Sequence, residues 1–256
     1  MLLITAGLYT LAAALRVRMA RTEGQKEKEK AESQPLSFEN LKTSVVTMAG
    51  MLISGGLITW VFITDGVRDT AFRMSDTLFP LYLEGFGGLN ATQIGWLGSV
   101  FGITMMLITI PAGWLSDKLG ERIPIIAGFT LDACAVFLFT RVEAGFWNFA
   151  LVWLLFGLGV GLQSPAYNSL VSKAVPENMR GMAFGLFWTS LGVISLPAPY
   201  IGAALWERFN PQVPFTLTAI MALLAVIPVF LKFRLPPKEP ESLPSGDIEA
   251  NIPIGD

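Results

Sequence analysis

Five ionisable residues stand close together in an otherwise apolar chain: Asp65, Arg68, Asp69, Arg73 and Asp76. At about 100° per residue on an α-helix they fall within an arc of about 140°, so they form one charged face. Turned towards lipid, that face would cost about 10 kcal/mol or more on insertion scales. At membrane depth it must therefore look into a wet cavity or pair with itself. There, Arg68 and Arg73 are able to hold an anion, and Asp65 or Asp69 to carry a proton or balance the arginines. The alternative is that Val45 to Ile63, which carries no charge, is the complete span and the charged face lies outside in water. Counting back about 25 residues from Pro80, enough to cross a bilayer, favours the cavity arrangement. It starts the helix near Gly56 and leaves Phe38 to Met51 as an amphipathic entry along the inner surface.

Other polar groups carry weaker signals. Gln163 and Tyr167 share a helical face that can hydrogen-bond a solute or a neighbouring helix, with Asn168 beside them. Asp132, alone in its apolar run, is either a proton site or a paired structural carboxylate. The glycines at 157, 159 and 161 read as a close-packing face, since no strand precedes them to make a phosphate loop. Cys134 is the single cysteine, read as a small buried apolar residue, and the chain has no histidine, so neither a disulfide framework nor metal chemistry is expected.

The elements that must position these residues follow from composition. Of 256 residues, 52% are hydrophobic and only 15% charged, against about a quarter charged in soluble domains. This is the balance of an integral membrane protein. A net charge of −2 gives no basic field for nucleic acid. Seven apolar runs are separated by short connectors: Leu2 to Leu15, Val45 to Ile63, Ile94 to Ala112, Ile123 to Phe139, Phe146 to Ser172, Met182 to Leu205 and Val213 to Leu231. The runs are long and unbroken rather than alternating, which predicts an all-α polytopic bundle. The first is short for a span and reads as a helix whose beginning is missing. Residues 16–43 read as a solvated linker, 44–231 as a six-helix bundle and 232–256 as a disordered tail.

Lys and Arg in the connectors set the orientation. One set holds Arg16, Arg18, Arg21, Lys26, Lys28, Lys30, Lys42, Lys118, Arg122, Lys173, Arg180, Lys232, Arg234 and Lys238; the opposite set holds only Arg141 and Arg208. The linker, the Lys118 and Lys173 loops and the C-terminal tail are thus expected in the cytoplasm, in a plasma-membrane protein. Asn90-Ala91-Thr92 is a glycosylation sequon on the other side and equally a cap for the helix that follows.

The connector Gly113-Trp114-Leu115-Ser116-Asp117-Lys118-Leu119-Gly120-Glu121-Arg122 resembles the signature loop of the major facilitator superfamily, Gly-x-Leu-(Ser/Ala)-Asp-(Arg/Lys)-x-Gly-x-(Arg/Lys), and matches every specified position. Gly113 would let two helices approach, Gly120 would permit the turn, and Lys118 and Arg122 would hold the loop at the cytoplasmic face. Pro80-Leu81-Tyr82-Leu83 with Gln93-Ile94-Gly95 is similar to the end of that family's seventh helix and the start of its eighth. Pro165-Ala166 and Val175 to Leu186 are similar to its tenth-to-eleventh connection. The resemblance implies a chain running from the end of helix six through helix twelve, the second half of an alternating-access transporter. In it Asp117 would pair with Arg180, latching the cytoplasmic side in one state.

The expectation is a secondary transporter of a small solute, driven by protons or another coupling ion, in a lipid bilayer, without cofactor or metal. No Gly-x-x-x-x-Gly-Lys-(Ser/Thr) run exists for ATP. A half-bundle would need the missing N-terminal half or a homodimer partner. The rival is a non-transporting subunit or receptor-like half-bundle that binds a partner or ligand. An intramembrane enzyme ranks third, since only Asp65, Asp69 and Asp76 offer a carboxylate pair.

Overall fold

A computed structural model describes residues 54–175 and 180–233, with residues 10, 13, 14, 17, 18, 46 and 50. The chain divides after Thr47 into two units. In the first, the described positions Thr10, Ala13, Ala14, Val17, Arg18 and Val46 are helical and exposed. The expected partial helix 1–15, the linker 16–43, the amphipathic entry 38–51 and the tail 232–256 fall wholly or mostly outside the described residues, as do 176–179 of the tenth-to-eleventh connection.

The second unit is built from α1 (Leu57–Asp76), α2 (Phe79–Gly85), α3 (Ala91–Leu119), α4 (Arg122–Phe139), α5 (Phe146–Ala174), α6 (Arg180–Ile194), α7 (Ala198–Arg208) and α8 (Val213–Lys232). No strand occurs among the described residues. Among the described residues four helices, α3, α4, α5 and α8, are long and apolar enough to cross a membrane. The α1 helix fails that test because it carries the charged face, and its start at Leu57 leaves Ser54 to Gly56 non-helical, so Val45 to Ile63 is not one continuous helix.

Two boundaries differ from the sequence expectation. The run Met182 to Leu205 is not one span: Ser195 to Pro197 break it into α6 and α7. The two prolines at 197 and 199 lack the N–H groups that would continue the ladder, and Ser195 Oγ turns back onto the Leu191 carbonyl at 2.5 Å. Conversely, the signature segment is mostly helix. Nothing between Gly113 and Leu119 breaks α3, which stops only at Gly120 with φ +80°, a region open chiefly to glycine. The N-terminus of α3 is closed by Asn90, whose Oδ1 accepts from Gln93 N at 2.9 Å while Gln93 Oε1 accepts from Asn90 N at 3.0 Å.

The α5 helix is the centre of the packing, lying against α3 on one side and α4 on the other, while α8 packs on α4 and α1. Its glycines serve both faces rather than one. A Cβ at Gly157 or Gly161 would collide with α3 at Thr104 or Ile108, whereas one at Gly159 would collide with α4 at Asp132. Residues four apart share a face and residues two apart lie about 200° round, so the alternation is geometric. Cys134 is exposed on α4, not buried. Two apolar layers result. One contains Leu83, Phe139, Phe149, Phe156 and Phe215; the other, nearer the Gly120 turn, contains Val61, Ile125, Phe129, Leu170 and Val229.

Candidate functional site

Between those layers lies a buried charge cluster drawn from three helices. Asp65 and Arg68 come from α1, Asp132 from α4 and Gln163 from α5. Arg68 Nη1 is 3.2 Å from Asp132 Oδ2 and its Nη2 is 3.5 Å from Asp65 Oδ1. Gln163 Nε2 donates to the same Asp132 oxygen at 2.6 Å. The Asp132 side chain is 0% exposed and that of Arg68 19%. The guanidinium also sits 4.6 Å from the Phe129 ring centroid, a cation–π contact that helps hold the charge out of water. Asp132 Oδ1, Gln163 Oε1 and Arg68 Nε are buried without a hydrogen-bond partner among the described residues. In an apolar span such groups are expensive and mark function or a strong structural lock.

The predicted charged face therefore divides. Asp65 and Arg68 turn inward to the cluster. Asp69 and Arg73 pair with each other at 3.3 Å on a more open surface, Arg73 being 52% exposed in its side chain. Asp76 is exposed and lines a separate cavity. Gln163 and Tyr167 share their face as expected, and both bonds run between helices: Gln163 to Asp132, and Tyr167 Oη to the Val61 carbonyl at 3.0 Å. Asn168 is exposed. Asp132, ambiguous in the sequence, is the acceptor on which Arg68 and Gln163 converge; its glycine neighbour at 159 was the available signal, since a side chain there would occupy the carboxylate's space. A cleft of about 660 Å³ between α1, α7 and α8 is lined by apolar residues such as Phe62, Met74, Leu217 and Met221 and by none of these ionisable groups.

At the Gly120 turn the predicted pair does not meet. Asp117 is exposed and makes no ion pair among the described residues, while Arg180 Nε donates to the Ser172 carbonyl at 2.9 Å. Lys118 Nζ lies over the Trp114 ring at 3.9 Å, and Arg122 donates to the Phe230 carbonyl and stacks on its ring. Nothing approaches within 4 Å of a Cβ built at Gly113, so that glycine does not mediate a helix contact within the described residues. The clamp at this end is instead Glu121, a residue that sequence reasoning passed over. It is 6% exposed and accepts from Ser169 Oγ at 3.0 Å and from Lys173 Nζ, tying the start of α4 to the end of α5.

Burial alone would raise the Glu121 carboxyl, but the hydrogen bonds from Lys173, its own backbone N–H and Ser169, with the Lys173 charge, hold it below the ordinary glutamate value of 4.5. A carboxylate lowered in the folded state stabilises that state above the unfolded value, and the contribution is lost as pH falls through the folded value. Glu121→Gln is therefore expected to lower stability at neutral pH by on the order of 1 kcal/mol, the partner Lys173 being solvent-screened. Thermal melting in detergent should show the gap to the parent chain closing as pH drops below 4.5. A gap independent of pH would remove the ion pair from the account.

Comparison with known proteins adds identity to this geometry. The sequence model of the Major Facilitator Superfamily matches residues 61–254, well over half of the chain. The chain belongs to that superfamily. Its membership makes this an integral membrane protein of a transporter family, with the apolar helices as the spanning elements. Among its relatives, the quinolone resistance protein NorA of Staphylococcus aureus is 26% identical over 165 residues, covering 64% of this chain and 42% of NorA. An uncharacterised MFS-type transporter of Methanocaldococcus jannaschii, MJ1317, is 29% identical over 132 residues, covering 49% of this chain and 31% of that protein. The chain thus spans less than half the length of the relatives it matches.

Proposed function

We propose that this superfamily member moves a small organic solute by alternating access, with transport driven by a proton gradient through Asp65. The observation that carries the reading is the buried cluster in which Arg68 is shared between Asp65 and Asp132. One cation between two carboxylates at mid-span is a charge balance that a single proton changes, and a change of balance can bias two helix arrangements. Asp65 supports this role better than Asp69, because Asp65 is 6% exposed and faces the cluster whereas Asp69 is engaged by Arg73 on the open side. NorA, named for quinolone resistance, is a relative whose name is compatible with an organic solute. The excess of Lys and Arg at the Gly120 end favours placing that end, with the linker and tail, in the cytoplasm of a plasma-membrane protein. Since the chain covers 42% of NorA, the second bundle against which it rocks would come from an N-terminal half or from a second copy.

The test is Asp65→Asn in the complete assembly, reconstituted in vesicles. Gradient-driven solute uptake is expected to fall to background while solute exchange without a gradient persists. Coupled uptake at the parent rate would sink the reading.

A further inference from the structure

Two neighbouring cavities beside α8 differ in polarity and share one wall. The apolar cleft of about 660 Å³ between α1, α7 and α8 has no charged residue in its lining. Its α1 wall runs from Phe62 to Met74, about 18 Å of helix, close to one leaflet's share of a hydrocarbon core about 30 Å thick. Towards the start of α8, at the end opposite the Gly120 turn, a cavity of about 380 Å³ is lined by Asn210, Gln212, Val213, Thr216, Leu217 and Ile220. Leu217 lines both spaces. It is also exposed, as are Ile220, Leu224 and Ile227, and at helical spacing the four form one apolar stripe. Both cavities therefore adjoin the surface that a spanning helix turns to lipid. Trp206, in the last turn of α7, stands near the polar cavity, at the level where indole rings sit in a membrane interface. Arg208, two residues before Asn210, is exposed and makes no ion pair among the described residues.

We propose that the two cavities together hold one phosphatidylglycerol molecule of that leaflet, an acyl chain in the apolar cleft, the glycerol headgroup among Asn210, Gln212 and Thr216, and the phosphate facing Arg208. The site is continuous with the lipid-facing stripe of α8, and its polarity changes along the membrane normal as a phospholipid's does. Arg208 supplies the charge that an anionic phosphate complements. Asn210 Oδ1 accepts from Gln212 N at 2.9 Å and Thr216 Oγ1 donates to the Gln212 carbonyl at 3.0 Å, which keeps the Asn210 amide nitrogen as a donor and the Thr216 oxygen as an acceptor for headgroup hydroxyls. A choline or ethanolamine cation would meet no carboxylate in the polar lining. A helix of a second copy would need an apolar groove across the full hydrocarbon thickness of about 30 Å, whereas this one turns polar beyond Leu217. Placing the lipid in the outer leaflet rests on the orientation given under the proposed function; the binding itself does not.

The probe is a phosphatidylglycerol carrying a photoreactive diazirine in one acyl chain, added to the purified full chain in detergent, with the crosslinked residues mapped by peptide mass spectrometry. Saturable labelling of the segments around Ile201 and Leu217 is expected. Unlabelled phosphatidylglycerol should compete at least about five-fold better than phosphatidylcholine with the same acyl chains, the advantage of about one charge contact at a membrane surface. Arg208→Gln should remove most of that preference, and Leu217→Trp, which fills the wall shared by the two cavities, should abolish the labelling. Equal competition by the two lipids would overturn the proposal. So would labelling around Leu217 that fails to saturate, the mark of bulk lipid, or saturable labelling confined to the Gly120 end, where Lys118, Arg122 and Lys232 lie. Should Leu217→Trp fail to fold, Arg208→Gln, a change at an exposed position, still decides. No gradient or solute enters the measurement, so its failure leaves coupling through Asp65 standing, and failure of coupling leaves the lipid site standing.

Discussion

Arg68→Leu is expected to destabilise the bundle by about 3–5 kcal/mol, the cost of removing one partner from a buried ion pair. Asp132 is 0% exposed in its side chain, Asp65 is 9%, and Arg68 is the cation that both carboxylates contact. Without it, two carboxyls share a space in which Gln163 Nε2 is the remaining donor to Asp132. Replacement on both sides of the Asp132 contact behaves differently: Arg68→Leu with Asp132→Leu exchanges that pair for apolar surface and should recover part of the loss, the remainder being the cost of Asp65 left without its cation. Unfolding in mixed micelles, run as a double-mutant cycle, measures the coupling directly. Additive single and double variants would mean that the contact contributes nothing.

Gly128→Ala and Gly159→Ala form the second large effect. The α4 and α5 helices cross where these glycines meet. A Cβ at position 128 would lie 2.6 Å from the Gly159 carbonyl and 2.7 Å from Gln163 Cβ, and one at 159 would lie 2.2 Å from Asp132 Oδ1. The obstacles at 128 include backbone, which cannot rotate away, so the helices must separate. Overpacking of this kind costs about 1–3 kcal/mol, and here it also pushes Asp132 off Arg68. Gly102→Ala on α3 is the matched comparison, because a Cβ there meets nothing within 4 Å; it should be neutral or slightly stabilising through helix propensity. Melting temperatures of the three variants in one detergent provide the check. A Gly102→Ala chain as unstable as Gly128→Ala would assign the effect to glycine content rather than to the crossing.

Such contrasts show where local sequence is informative. The sequence marks Gly159 as part of a close-packing face but not its partner at Gly128, and the glycines at 95, 98 and 102 of α3 look equally like a packing stripe yet have open space beside them. Helix packing in membranes follows close approach, and close approach depends on which helices are neighbours. The same holds for Glu121, which reads as one charge in a charged loop until Ser169 and Lys173 are brought to it from 48 and 52 residues away.

From residue order alone came the all-α membrane character, the superfamily signature at Gly113 to Arg122, the ends of α4, α5 and α8 to within two or three residues, and the shared face of Asp65, Arg68, Asp69, Arg73 and Asp76. These depend on hydrophobic run length and helical periodicity, both properties of consecutive residues. Tertiary structure alone decided how that face divides: Asp65 and Arg68 to a buried cluster with Asp132 and Gln163, Asp69 and Arg73 to each other, Asp76 to an aromatic cavity. A charge finds its partner through space, and the partners of Arg68 lie 3 and 64 residues away. Periodicity states which way a side chain points from its own helix; only the packing of α1 against α4 and α5 states what stands there to receive it.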